Sequence, residues 1–180
     1  MSFLVFLIDC ILIVAFVVWL YIRRQGDAKF VFYIDQRSDF ALVELTGQKA
    51  VFTCEVPYTN AGSQDGTLMD VYTRHLLPRE YYDAVRVYSW LTLASQPRDD
   101  GYWEALIVPR GKGGAVIVTV ELTAKNGDIA AGLRDMVDMP VDLVYQVVAR
   151  TPLYINKAQL VMTADEIHRA LGEGVKERGL

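Results

Sequence analysis

Two cysteines, two histidines and six prolines in 180 residues leave this chain short of the usual equipment for covalent bracing and catalysis. Cys10 falls in an apolar run and Cys54 in a later β-rich segment, so they are not placed to pair. No disulfide framework exists, which fits a reducing compartment. Neither His75 nor His168 has an H-x-x-x-H, H-E or C-x-x-C neighbourhood, so metal ligation has no support. Each reads as a boundary or surface histidine, with His168 on the solvent side of the last helix. No G-x-S-x-G elbow occurs, and Cys54 in a β-branched context reads as a small core residue.

Other motifs are equally sparse. Arg110–Gly114 (R-G-K-G-G) lacks the spacing, the hydroxyl and the following helix of a Walker loop, and reads as a glycine-rich hairpin turn. Asp65, Asp70, Asp99, Asp100 and Glu104 gather near turns without EF-hand spacing, as solvated loop acids do. Nothing points to a cofactor or to enzymatic chemistry. The part of the chain after residue 24 has a net charge of roughly −5 and no basic stripe. Such a domain is a poor nucleic-acid binder and is not suited to lying flat on anionic lipid.

What is present begins at once. Phe3–Ile22 carries one ionisable side chain, Asp9, before Arg23 and Arg24. A helix rising about 1.5 Å per residue crosses a hydrocarbon core about 30 Å thick in roughly 20 residues. A cleavable signal would start basic and end on small residues, whereas this segment starts Met1-Ser2 and ends Trp19-Leu20-Tyr21-Ile22. A lipoprotein site at Cys10 is disfavoured by Asp9 and by the few residues before it. A retained anchor is the expectation, with Trp19 and Tyr21 at its interfacial end. Arg23, Arg24, Lys29 and Arg37 on its C-terminal side place the following domain in the cytoplasm by the positive-inside rule. Asp9 either sits near the rim or pairs with a polar group on a partner helix.

The roughly 155 residues after the anchor suffice for one domain. Strand-like runs cover Lys29–Asp35, Phe40–Leu45, Lys49–Val56 (closed by Pro57), Thr67–Arg74, Val85–Leu93, Tyr102–Val108, Ala115–Leu122, Val141–Val148 and Tyr154–Met162. The runs before and after R-G-K-G-G are expected to form one hairpin. Asn60–Gly66 is loop chemistry and Pro78–Asp83 a single helical turn. One helix is capped by Asp128 and stopped before Pro140. A second starts with capping-box spacing at Thr163 and Glu166, and Gly172 and Gly174 weaken its end.

These elements predict a mainly β fold: an N-terminal transmembrane helix (1–24), a β-sandwich of about eight or nine strands (25–163), and a C-terminal helix and tail (164–180). The segment Val56-Pro57-Tyr58-Thr59-Asn60-Ala61-Gly62 resembles the strand end and Asn-x-Gly turn of immunoglobulin-like modules, although no Cys-Trp-Cys spacing accompanies it. Six aromatics lie in neighbouring segments: Tyr81, Tyr82, Tyr88, Trp90, Tyr102 and Trp103. Some fill the core; any that face outward are protein-binding anchors. The functional expectation is a non-enzymatic, membrane-anchored module that binds another protein or a second copy of itself, with Asp9 as a possible contact within the bilayer. The alternative is a membrane-proximal sandwich opening on a pocket for a lipid or other apolar ligand.

Overall fold

A computed structural model describes residues 2–80, 82–98 and 100–177. The first element is α1 (Ser2–Arg24), and its apolar side chains are exposed along its length. Among the described residues, Phe3–Arg24 is the one helix long and apolar enough to cross a membrane, and none of it is buried against the rest of the chain.

Among the described residues nine strands follow, in two antiparallel sheets. The first sheet runs β1 (Phe30–Phe32), β3 (Lys49–Asn60), β7 (Gly113–Ala124), β5 (Val85–Leu93), with β2 (Ala41–Leu45) also paired to β3. The second runs β6 (Leu106–Val108), β4 (Gly66–His75), β8 (Met139–Val148), β9 (Tyr154–Met162). Strand periodicity explains the layering, because alternate residues face one side. Phe52, Cys54, Val56 and Tyr58 of β3 and Val116, Val118, Val120 and Leu122 of β7 point inward, as do Met139, Val141, Leu143, Tyr145 and Val147 of β8. The Phe32 and Tyr145 rings, 4.9 Å apart, join the sheets across this core. The fold is therefore a β-sandwich. Each fully buried aliphatic or aromatic side chain contributes about 1.5–3 kcal/mol.

The expected runs Lys29–Asp35 and Tyr102–Val108 keep only Phe30–Phe32 and Leu106–Val108 as strand, and two further departures have clear causes. Strand β3 does not stop at Pro57 but continues to Asn60. The Pro57 carbonyl accepts from the Tyr33 N–H at 2.8 Å, so its missing donor points the same way, into the gap between β1 and β2 where no strand needs it. The runs around R-G-K-G-G do not form a hairpin: β6 pairs with β4, and β7 with β3 and β5. Residues 109–112 instead carry the chain from one sheet to the other through a turn closed by Lys112 N–H donating to the Pro109 carbonyl. Gly113 then packs so close to β3 that a Cβ would stand 2.0 Å from the Tyr58 carbonyl oxygen.

The helices cover the end of the sandwich remote from α1. In α2 (Ile129–Leu133) the Asp128 carboxylate accepts from the Ala131 N–H, as its cap position predicts. In α3 (Ala164–Glu177) the Thr163 hydroxyl accepts from the Glu166 N–H and the Glu166 carboxylate from the Thr163 N–H, completing a capping box. Glu166 also takes both guanidinium nitrogens of Arg37, at 2.7 and 3.0 Å, pinning α3 to the 3₁₀ turn Ile34–Gln36. Within Pro78–Asp83, the described residues carry one helix-like bond, Tyr82 N–H to the Pro78 carbonyl.

Candidate interaction surfaces

The side chains most able to carry chemistry are committed elsewhere. Cys54 is buried, and desolvation pushes its thiol up to about 12, far from a working thiolate. His75 is lowered by burial first and by the Arg79 charge second, and it lies beside Arg79, Arg86 and Lys125 without a carboxylate to orient it. His168 is exposed, yet its Nε2 stands 3.0 Å from the Leu133 carbonyl and ties α3 to the end of α2. Among the described residues no group of three His, Cys, Asp or Glu side chains comes together as a metal site.

Several loop acids have structural uses. Asp65 accepts from the Arg110 N–H. The Arg98 guanidinium, with the Tyr102 N–H, holds the Asp100 carboxyl down at about 2. Asp99 lies outside the described residues.

The six aromatics divide. Tyr82 and Trp103 are buried; the Trp103 indole donates to the Leu68 carbonyl at 3.2 Å, and both fill the core rather than face a partner. Tyr81 lies outside the described residues. Tyr88 and Tyr102 are each 61% exposed, and Trp90 is half-buried. Strand alternation explains the split within β5: Val85 and Leu91 point inward, which turns Tyr88 and Trp90 outward.

The loop after β5 folds back over that outer face. The Arg98 N–H donates to the Thr92 hydroxyl at 2.8 Å, and Gly101 sits against Tyr88 and Trp90. The Tyr88 and Trp90 rings stand 5.2 Å apart, and Arg98 covers the Tyr102 ring at 5.4 Å. Tyr88 and Trp90 thus lie beside the loop that carries Tyr102 and the Arg98–Asp100 ion pair, next to a shallow cleft of about 210 Å³ lined by Thr92, Gln96 and Trp103. Because β5 ends its sheet, these side chains border a strand edge that no other described strand covers.

A second concavity, of about 430 Å³, is lined by Leu45, Ile129, Leu133 and Leu171, with Asp128 and His168 at its rim. It lies by the β2–β3 turn. From there to the α1 end of the sandwich is the length of β3, 12 residues or about 36 Å. The apolar recess is thus at the end away from α1, not beside it.

The third feature is the joint between α1 and the sandwich. Arg150 donates to the Ile22 carbonyl at the end of α1, and Ser63 and Gln64 both donate to the Gln25 carbonyl. The Asp27 carboxylate accepts from the N–H groups of Ala28, Arg150 and Thr151 and from the Thr151 hydroxyl. The Thr151 hydroxyl, followed by these backbone donors, outweighs desolvation and keeps the Asp27 carboxyl below its ordinary range. Gly62 lies so close to this segment that a Cβ would meet the Asp27 carbonyl oxygen at 2.3 Å. Behind it, buried Asn60 accepts from the Lys29 and Gly62 N–H groups and donates to the Gln64 and Val108 carbonyls. Asp9 is exposed on α1, remote from all of these groups.

No protein-family profile and no curated protein matches the chain. Among solved structures, the ApaA protein from Bordetella pertussis aligns at 13% identity and a TM-score of 0.42, covering 76% of this chain and 94% of its own. The GAE domain of GGA2p from Saccharomyces cerevisiae aligns at 12% identity and 0.35, covering 74% of this chain and 96% of its own. A yeast GGA1 GAE domain aligns at 11% identity and 0.33, covering 74% and 97%. Likenesses at this level carry no function over to this chain.

Proposed function

We propose that this chain is a single-pass membrane protein whose α1 is a retained anchor and whose sandwich, on the cytoplasmic side, is a non-enzymatic interaction or assembly module. The sandwich belongs to an immunoglobulin-like arrangement in this reading. The order β1/β2-β3-β7-β5 opposite β4-β8-β9 follows the A-B-E-D and C-F-G order of constant-type domains, with β6 added at the β4 edge.

The observation that carries the reading is the outer face of β5, where exposed Tyr88 and half-buried Trp90 lie beside the loop that presents exposed Tyr102 and the Arg98 that covers its ring. Aromatic and arginine side chains are the residue types that dominate binding energy at protein interfaces. Their exposure beside an open strand edge gives a partner both side-chain anchors and backbone to pair with.

Crosslinking of the full chain in membranes, followed by capture from detergent, tests the reading. A partner protein or a dimer should be captured, and Tyr88→Ala with Tyr102→Ala should abolish the adduct while leaving the fold intact. A strictly monomeric chain with nothing captured would remove the idea. Ligand binding is the second reading, and the apolar recess of about 430 Å³ favours it. That recess, though, opens at the end away from the anchor, so an apolar ligand there would come from solution or from a partner rather than from the adjacent bilayer.

A further inference from the structure

The acidic net charge of the chain is unevenly spread. Segments 22–29, 60–66, 108–113 and 149–154 carry six basic side chains, Arg23, Arg24, Lys29, Arg110, Lys112 and Arg150, against two acidic ones, Asp27 and Asp65. Everything else carries twelve basic and twenty acidic side chains. Those four segments meet at one end of the sandwich. Asn60 joins the first to the third, accepting from the Lys29 N–H through its side chain and from the Gly111 N–H through its carbonyl. Asp27 joins the first to the fourth.

Both acids at this end already have partners, since Asp27 holds Arg150 and Thr151 and Asp65 holds the Arg110 N–H. Arg110 and Lys112 are exposed on the loop that crosses between the sheets. Leu153 is 51% exposed on the adjoining β8–β9 turn, next to residues bonded to the end of α1.

We propose that this end of the sandwich is a lipid-binding face. Arg110, Lys112 and Arg150 contact the phosphates of anionic headgroups, Leu153 enters the interfacial layer, and the domain stands end-on at the bilayer. The inference rests on α1 being a membrane anchor. Charge complementarity selects the occupant: a cationic rim beside the anchor meets the anionic leaflet, while the acidic remainder is repelled from it. Hydrogen bonds from Arg150, Ser63 and Gln64 to the Ile22 and Gln25 carbonyls restrict the swing of the joint, so the same face meets the surface whenever α1 is inserted. A net acidic domain is thereby kept from lying on its side.

The test uses the full chain in nanodiscs of phosphatidylcholine alone or with a third phosphatidylserine, read by amide exchange. Exchange across 108–112 and 149–153 should slow in the anionic discs, and each cation removed should restore it by about fivefold. Arg110→Glu with Lys112→Glu should abolish the difference without altering exchange in β3 or β8. Equal protection in both discs, or protection insensitive to the charge reversals, would overturn the proposal. So would protection that follows the number of chains per disc rather than the anionic fraction, which assigns the face to a second copy. Failure of the chain to enter discs at all is a separate result: it rejects the anchor itself, whereas normal insertion without lipid dependence rejects only this face.

Discussion

The two ends of the sandwich are built on different principles. At the α1 end the chain is tied down by short polar side chains that satisfy backbone groups: Asp27, Asn60 and Ser63 together bridge the linker and the loops at 61–65, 109–112 and 149–153. At the far end two helices cover the sandwich over apolar residues, and the bidentate ion pair Arg37–Glu166, with Arg169–Asp39, holds α3 in place. Hydrogen bonds to backbone fix a joint without needing packed volume. A packed helix held by charged pairs from Arg37 and Asp39 borders an apolar recess lined by Leu45, Ile129, Leu133 and Leu171. The first end is fixed by hydrogen bonds to backbone, and the second by ion pairs and apolar packing.

The largest effect should come from breaking the far-end lock. Arg37→Met leaves Glu166 buried without its counter-ion, a change that costs about 3–5 kcal/mol. Denaturant unfolding should show that loss, and amide exchange should place it first in α3. At the near end Asn60→Ala removes four hydrogen bonds from a buried position and should cost about 3 kcal/mol. If both variants destabilise the whole sandwich equally, with no local pattern, the distinction between the ends fails.

Acidification separates the ends more finely. Burial alone would raise the Glu166 carboxyl, but Arg37 and then the Thr163 donors outweigh it, so its pKa falls below the ordinary 4.5. Asp27 is likewise held below its ordinary 3.8, by the Thr151 hydroxyl above all. A carboxyl depressed in the folded state stabilises fully above its unfolded value and loses that contribution as pH falls toward the folded one. The contribution of Glu166 therefore begins to decline near 4.5 and that of Asp27 only near 3.8. Exchange in α3 should accelerate before exchange at 149–152 as the pH is lowered. The reverse order would break the comparison.

Smaller global effects follow at exposed sites. Asp27→Ala should change overall stability by no more than about 1 kcal/mol, because the carboxylate is near solvent, yet it should speed exchange of the Arg150 and Thr151 amides. Tyr102→Ala should stay within about 0.5 kcal/mol in stability while weakening partner capture, separating surface from scaffold.

The legibility of the chain follows the range of the interactions involved. Strands Val85–Leu93 and Tyr154–Met162, the Asp128 cap and the Thr163–Glu166 capping box have the bounds and partners that local pattern predicts, because each depends on neighbours within a few residues. The pairing of β6 was not legible, since either sheet could accept a short apolar strand and only the packed sandwich decides between them. Pro57 misleads for the same reason: a proline ends a strand only where its missing donor is needed, and that depends on the gap between β1 and β2.

Arg37 illustrates the limit most clearly. Sequence position makes it a juxtamembrane charge, whereas its guanidinium is spent on a carboxylate 129 residues away. The other basic residues of the orientation argument, Arg23, Arg24 and Lys29, stay exposed. Among the aromatics, alternation along β5 could have singled out Tyr88 and Trp90 as outward-facing. The burial of Tyr82 and Trp103 depends on loops whose course carries no periodic signal.

The function proposed for this chain depends on α1 remaining in the bilayer as part of the mature protein. Alkaline extraction and flotation of the full-length protein from membranes, with the amino terminus of the recovered product sequenced, tests that most directly. The chain should stay with the lipid fraction and retain residues 3–22. Release into the soluble fraction, or a mature terminus beyond residue 24, would contradict it.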